Sequence, residues 1–121
     1  SLLRRAIVNL VGNAVEAQHR KGSMIIATGT MECSGQETDE SFFGEAIRSG
    51  PYVFLKISDT GCGIPREFQD RIFDPFFSTK LRAQGMGLAV VLGIVKSHGG
   101  AIRVCSKPGE GCSMTLLFPI A

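Results

Sequence analysis

Near the start of the chain, apolar residues recur at steps of three and four positions. Such a stripe is typical of an amphipathic helix that packs one face against a core. It predicts a helix from residue 2 to about residue 21, ended by Gly22. The stripe consists of Leu3, Ile7, Leu10, Ala14 and Ala17.

Four later segments have the β-branched and aromatic composition of strands, with partial alternation of apolar and polar positions. We predict strands at residues 23–33, 52–58, 101–106 and 112–118. The sequence Lys-Pro-Gly-Glu-Gly at 107–111 predicts a hairpin turn between the last two.

Two further helices are expected in the second half of the chain. Proline at position 65 favours a short helix over 66–73, since proline is well placed at a helix start. The apolar run 88–98 predicts a longer helix, with His98 as its C-terminal cap. The polar, acid-rich segment 34–50 is interpreted as an excursion between strands, with a helical turn near 42–47 and no function of its own.

Composition limits the classes of protein. A chain of 121 residues with 44% hydrophobic and 20% charged residues is long enough for one domain and one core. The formal net charge of +2 is too small to indicate binding to nucleic acid or to a membrane surface. No signal peptide and no apolar run of membrane-spanning length occurs, so we expect a cytoplasmic domain.

The cysteines show no pattern of a metal site. They contain no C-x-x-C pair and no histidine at metal-ligand spacing, which favours reduced thiols in the cytosol. Cys105 and Cys112 could face each other across the hairpin, but two half-buried free thiols are the preferred interpretation. The four cysteines are Cys33, Cys62, Cys105 and Cys112.

A second, polar stripe runs along the first predicted helix through Asn9, Asn13 and Glu16. It could be the solvated face of that helix. However, asparagine is a mediocre helix former, and two of them one turn apart indicate selection for something other than helix stability. Amide oxygens suit Mg²⁺, which binds nucleotide phosphates through few protein groups.

An acid and two glycines directly follow the predicted strand that ends at residue 58. They form the sequence Asp59-x-Gly61-x-Gly63, which brings backbone close to whatever lies beside it. Alone, this pattern also fits ordinary turn chemistry.

Two more motifs follow at 73–80 and at 84–88. The first, Phe-Asp-Pro-Phe-Phe-Ser-Thr-Lys, crowds aromatic side chains before Thr79 and Lys80, which can contact a phosphate. The second, Gln-Gly-Met-Gly-Leu, enters the helix at 88 through Gly85 and Gly87, where free N–H groups and the helix dipole favour phosphate.

In this order the four motifs resemble the N box, first glycine box, F box and second glycine box of sensor histidine kinases. The resemblance is to their catalytic, ATP-binding domain, of the superfamily that also contains gyrase, Hsp90 and MutL. It implies an α/β two-layer sandwich with a mixed sheet, the Bergerat fold. It also implies a protein-histidine kinase of a two-component system that uses ATP and Mg²⁺.

The same resemblance implies roles for individual residues. Asn13 matches the magnesium ligand, Asp59 matches the residue that accepts a hydrogen bond from the adenine amine, and Lys80 matches a phosphate contact. Catalytic roles are expected for Asn9, Asn13 and Lys80. The expected ATP-binding residues are Asn9, Asn13, Glu16, Asp59, Gly61, Gly63, Ile64, Phe73, Thr79, Lys80, Gly85, Met86, Gly87, Leu88 and Cys112.

The resemblance further implies that residues 1–121 are a catalytic domain that begins inside the N-box helix. The expected partners are the protein's own dimerisation domain, which carries the phosphoacceptor histidine, and a response regulator receiver domain downstream. Neither nucleic acid nor direct membrane contact is expected for this segment.

Three positions depart from related patterns and leave other functions open. Asn9 stands where gyrase- and Hsp90-type ATPases carry a general-base glutamate, which favours transfer to a protein over hydrolysis. Ala83 replaces a lid glycine, and Cys112 stands where threonine is frequent near the adenine. The alternatives are a Mg²⁺-dependent ATPase of the gyrase or Hsp90 type and a non-catalytic nucleotide-binding or docking module.

Overall fold

The two long helices and four of the five described strands follow the sequence prediction. The computed structural model describes residues 2–17, 22–36, 42–61, 64, 66–69, 71–74, 87–107 and 109–120. The helices are α1 (Leu2–Ala17) and α2 (Gly87–Ser97). The strands are β1 (Met24–Ser34), β2 (Phe42–Gly44), β3 (Ser49–Asp59), β4 (Ala101–Lys107) and β5 (Gly111–Pro119).

The five strands form one sheet in the order β1-β3-β5-β4-β2. The β1–β3 ladder is continuous, with Met24 opposite Asp59 and Ser34 opposite Ser49. Strand β5 lies in the centre and pairs with β3 on one side and with β4 on the other. The sheet therefore brings the end of β3 beside the start of β5.

The two-layer α/β architecture is confirmed, but the expected mixed sheet is wrong for the described strands. All of their pairings are antiparallel. The connection from β3 through α2 to β4 does join parallel strands, as in a crossover unit. Because the hairpin inserts β5 between β3 and β4, no two parallel strands become neighbours.

The two helices cover one face of the sheet, which we call the helix-covered face. Helix α1 packs against α2 and β3, and α2 also contacts β4, β5 and β2. Val91 and Val95 of α2 and Ile102 of β4 are fully buried in this layer. None of the described helices is long and apolar enough to cross a membrane.

The buried side of α1 differs from the predicted stripe. Ala6 and Leu10 are buried at 0% and 3% exposure, whereas Ile7 is 37% exposed. At about 100° per residue, position 10 lies about 40° from position 6 and about 60° from position 7 around the helix. Leu10 of the predicted stripe is therefore in the core, and the buried face is turned towards position 6 by less than one residue. The small Ala6 side chain permits a close approach that hydropathy alone does not reveal.

The opposite face carries a second, smaller core. It contains Cys33, Tyr52, Ala101 and Leu117, and Ile47 is buried among them. Residues 42–44 pair with β4 as an edge strand, so the helical turn expected near 42–47 is wrong. Residues 42–47, for which no function was predicted, therefore complete the sheet and cover part of its open face.

In the described part of the chain, Cys33, Cys105 and Cys112 form no disulfide, but the burial of the last two differs from the prediction. Cys112 is buried and Cys105 is exposed. Cys105 lies opposite Ser113, one position off register from Cys112, so their side chains leave opposite faces of the hairpin. That direction excludes a disulfide without backbone movement.

The end of α2 confirms the predicted capping role of His98. Its Nδ1 lies 2.8 Å from the Ile94 carbonyl, to which it donates. Gly99 follows with φ of +73°, and Gly100 N–H donates to the Val95 carbonyl at 3.0 Å. A glycine in the left-handed region thus ends the helix. The predicted helix over 66–73 is reduced to one 3-10 turn at Arg66–Phe68.

The rotated α1 face gives a direct test. We expect Leu10→Ala to lower the free energy of unfolding by about 2–5 kcal/mol, because it leaves a cavity in the core. Ile7→Ala, the matched control on the partly exposed face, is expected to cost about 1 kcal/mol or less. Urea denaturation followed by circular dichroism measures both. Equal losses for the two variants would contradict the packing of α1 described here.

Candidate functional site

Asp59 is the last residue of β3 and is partly buried. Side chains alternate along a strand, and Ile57, two positions earlier, belongs to the core on the helix-covered face. Asp59 therefore points to the same side as the helices. Cys112, the second residue of β5, is its cross-strand partner.

A local turn fixes one oxygen of the Asp59 carboxylate. Gly61 N–H donates to Asp59 Oδ1 at 2.9 Å, which closes a turn two residues long. No described residue donates to the other oxygen, Oδ2. The carboxylate is thus held in orientation while it keeps one free acceptor.

Thr60 ties the same turn to the start of β1. Its N–H donates to the Ser23 carbonyl at 3.1 Å, and Ser23 N–H donates to Thr60 Oγ1 at 2.9 Å. This reciprocal pair continues the β1–β3 ladder by one residue. The chain after Asp59 consequently leaves the sheet at a defined point.

Gly111 allows the hairpin to lie directly against Asp59. A Cβ atom at position 111 would meet the Asp59 carbonyl oxygen at 2.1 Å, and its φ is +111°. Both the space and the backbone conformation therefore require glycine. This close approach places Cys112 beside Asp59.

Ser106 anchors the segment that follows the turn. Ile64 N–H donates to Ser106 Oγ at 2.7 Å, and Ser106 donates to the Gly111 carbonyl at 3.3 Å. Gln69 Nε2 donates to the Ile64 carbonyl at 2.9 Å. A short hydrogen-bonded network thus fixes the segment beyond the glycines to the β4–β5 hairpin.

Several of the expected apolar ATP-binding residues come together in one cluster. Ile64, Phe73, Leu88 and Cys112 are all buried in the core on the helix-covered face, which also contains Ala6 and Leu10 of α1. Phe73 packs against Phe43 with ring centroids 4.6 Å apart. Phe73, the first residue of the aromatic motif, is therefore part of the core.

Asn9 lies on α1 next to Leu10 and is partly buried. It is therefore not on a fully solvated face, although Arg5, one turn earlier, is exposed. Gly87 is the first residue of α2, one position before the predicted start, and Leu88 is buried directly after it.

The remaining expected site residues lie wholly or partly outside the described part of the chain. Asn13 and Glu16 lie within α1, but their side chains fall outside the described part of the chain. The expected lid with Ala83 also lies outside the described residues. So do Gly63, Thr79, Lys80, Gly85 and Met86.

Five residues that position Asp59 and Ile64 were not identified from the sequence. Gly111 was assigned only to a hairpin turn. Ser23, Thr60 and Ser106 bond to residues about 40 positions away along the chain, so no local pattern marks them. Gln69 bonds to the Ile64 carbonyl five residues earlier, but no motif in its segment marks that role. The five are Ser23, Thr60, Gln69, Ser106 and Gly111.

These groups can accept a hydrogen bond and receive a flat, partly apolar ligand. Asp59 Oδ2 suits an exocyclic amine, and the buried side chains around it provide a dry wall. The first turn of α2 offers backbone N–H groups at the positive end of a helix dipole. In the described part of the chain no group of three or more His, Cys, Asp and Glu side chains could hold a metal.

Comparison with known proteins gives a consistent result. A family model described as histidine kinase-, DNA gyrase B-, and HSP90-like ATPase matches residues 1–121. The chain is 38% identical over 119 residues to the signal transduction histidine-protein kinase AtoS of Escherichia coli K12, which covers 98% of this chain and 17% of AtoS.

Solved structures agree with this match. The mycobacterial sensor histidine kinase MprB superposes with a TM-score of 0.71 and 25% identity, covering 98% of this chain and 72% of the MprB chain. Full-length ShkA in complex with AMPPNP gives a TM-score of 0.74 and 27% identity over 99% of this chain and 22% of that chain.

The close approach at Gly111 can be tested against another glycine of the same hairpin. We expect Gly111→Ala to lower the free energy of unfolding by about 3 kcal/mol or more, because overlap with the Asp59 carbonyl adds to backbone strain. Gly109→Ala is the control, since φ is +80° there but a Cβ atom would meet nothing within 4 Å. It should cost about 1–2 kcal/mol. Denaturant titration compares them, and a Gly111 variant as stable as the Gly109 variant would contradict this geometry.

Proposed function

The chain belongs to the family of histidine kinase-, DNA gyrase B- and HSP90-like ATPases, and on that premise we propose that it binds Mg-ATP and transfers the γ-phosphoryl group to a histidine. That histidine would lie on a separate dimerisation domain of the same protein. Residues 1–121 would act as the catalytic domain of a two-component sensor kinase.

The geometry of Asp59 is the observation that carries this proposal. Its Oδ1 is held by Gly61 N–H at 2.9 Å, while Oδ2 has no donor among the described residues. A carboxylate held in this way can accept a hydrogen bond from the exocyclic amine of adenine without first reorganising. Guanine presents a carbonyl at that position, so the same carboxylate would disfavour GTP.

The adenine ring would lie among apolar side chains next to Asp59. We assign this wall to Ile64, Phe73, Leu88 and Cys112, which belong to one buried cluster, and Met86 would extend it. Gly61 and Gly63 would leave room for the ring beside the backbone. A bound adenine would thus be recognised at its edge by one carboxylate and on its faces by apolar packing.

The phosphates would be held at the other end of the site. We assign this role to Asn9, Asn13 and Glu16 of α1, to Thr79 and Lys80, and to the backbone of Gly85 and Gly87. Asn13 would be the protein ligand of Mg²⁺, and a bound Mg²⁺ would neutralise charge on the phosphate oxygens. Partial burial of Asn9 in the described helix supports an inward-facing role for this stripe.

In the proposed reaction a histidine nitrogen of the dimerisation domain attacks the γ-phosphorus. A P–N bond forms, the bond to the bridging oxygen breaks, and ADP leaves with the electron pair. This transfer depends mainly on positioning and charge neutralisation. Asn9 has an amide where a hydrolytic enzyme needs a base to activate water, which supports transfer over hydrolysis.

The whole protein's signalling role extends beyond this chain. The chain spans 17% of AtoS and 22% of the sensor histidine kinase ZraS of Escherichia coli K12. We propose that the dimerisation domain lies elsewhere in the protein and that a response regulator receives the phosphoryl group from its histidine. Because ATP is the donor, we place this domain on the cytoplasmic side.

Nucleotide binding is the first test. By calorimetry we expect saturable binding of Mg-ATP, and Asp59→Asn should weaken it about 10- to 100-fold, since a charge-assisted hydrogen bond is lost. Asn13→Ala should reduce the dependence on Mg²⁺ more than it reduces metal-free binding of ADP. Glu32→Gln is a matched control for loss of a carboxylate, because Glu32 is exposed towards the far end of β1. Unchanged affinity in Asp59→Asn would refute the assigned site.

The second test measures phosphoryl transfer from γ-labelled ATP to the separately produced dimerisation domain. We expect acid-labile label on that domain's histidine, and none when the histidine is replaced by glutamine. Released phosphate without labelled protein would instead support an ATPase of the gyrase or Hsp90 type. Normal ATP binding with neither product would support a non-catalytic module.

A further inference from the structure

A cavity lies at the opposite end of the sheet from Asp59. It is about 460 Å³ in volume and is lined by Glu45, Ala46, residues 48–52, Gly99, Pro119 and Ile120. Tyr52 and Asp59 belong to the same strand and are separated by about 23 Å at the usual rise per residue. The cavity is therefore separate from the proposed nucleotide site, and its size is in the range of small-molecule sites, about 300–1,000 Å³.

Tyr52 is one of the residues that line this cavity, and its hydroxyl group lies beside the backbone of Arg48, another lining residue. Its side chain is only 3% exposed. Its hydroxyl oxygen accepts from Arg48 N–H at 3.0 Å, but no described residue accepts the hydroxyl proton. Buried hydroxyl groups normally satisfy both functions. The unused proton thus calls for an acceptor within the cavity.

Arg48 and Glu45 add two opposite charges to the same cavity. Both side chains are exposed, and neither forms an ion pair within the described part of the chain. The backbone bond from Arg48 to the Tyr52 hydroxyl keeps residue 48 next to that donor. An oxyanion would meet Tyr52 and Arg48 together, whereas Glu45 favours a cation.

The rest of the lining is largely apolar. Pro51, Pro119 and Ile120 form one wall, which is closed by the hydrogen bond from Ile120 N–H to the Pro51 carbonyl at 3.1 Å. Ile120, which borders this cavity, is 43% exposed. Covering such a wall with an aliphatic group lowers the free energy, because apolar surface is removed from water.

We propose that this cavity binds a small apolar amino acid. Its carboxylate would accept from the Tyr52 hydroxyl and from the Arg48 guanidinium, its ammonium group would pair with Glu45, and its side chain would cover Pro119 and Ile120. A single zwitterion of this kind is complementary to the Tyr52 hydroxyl, to the opposite charges of Arg48 and Glu45, and to the apolar wall. The proposal does not depend on nucleotide binding at Asp59.

The test is an NMR titration of the ¹⁵N-labelled chain with L-leucine as the probe. We expect saturable shifts of the Ser49, Gly50, Tyr52 and Ile120 amides. Tyr52→Phe and Arg48→Gln should each weaken binding about tenfold or more, because each removes a hydrogen bond to a carboxylate. Arg103→Gln is the matched control, since Arg103 is exposed on β4 outside the cavity and lies over the Phe42 ring at 5.4 Å.

Two analogues identify the chemistry that is recognised. Leucinamide lacks the carboxylate, and 4-methylpentanoate lacks the amine, so both should bind at least about tenfold more weakly than leucine. Equal binding of either analogue, or no shifts at millimolar leucine, would overturn the proposal. If Tyr52→Phe proves unstable, Arg48→Gln still tests the proposal, because it changes only an exposed side chain. Mg-ATP titration of the same samples reports the Asp59 site separately.

Discussion

The contact between Gly111 and the Asp59 carbonyl is the constraint on which this end of the molecule depends. Where a Cβ atom would come within 2.1 Å of that oxygen, only glycine lets β5 begin beside the end of β3. This contact sets the register that places Cys112 opposite Asp59. It also brings Ser106 of β4 within reach of Ile64, so the segment after the acid is held by the same hairpin.

One buried core connects this end of the sheet to both helices. Ile57 and Ile64 belong to the same buried cluster as Ala6 and Leu10 of α1 and Leu88 of α2. A polar residue beside Leu10, such as Asn9, is consequently carried towards the same side of the sheet as Asp59. A rigid apolar interior thus supports a site whose polar groups come from distant parts of the chain, as pre-organised binding requires.

The two ends of the sheet have different chemistry. At one end Asp59 offers a free carboxylate oxygen, and the proposed ligand is a nucleotide. At the other end the Tyr52 hydroxyl donates to no described residue, Arg48 and Glu45 line the same cavity, and the proposed ligand is a small zwitterion. Strand β3 contributes residues to both ends, Tyr52 near its start and Asp59 at its end.

The sequence by itself determined the two long helices, four of the five described strands and the ordered motifs, because these depend on local periodicity, glycine placement and turn chemistry. Asp59 at the strand end, Gly87 at the start of α2 and His98 at its cap were all predictable on this basis. Only the tertiary structure decided that β5 lies between β3 and β4, that Ala6 replaces Ile7 in the core, and that Ser106 and Gly111 hold the site. These features depend on contacts between residues far apart in the chain, and no local pattern encodes which partner a strand or a hydroxyl group will meet.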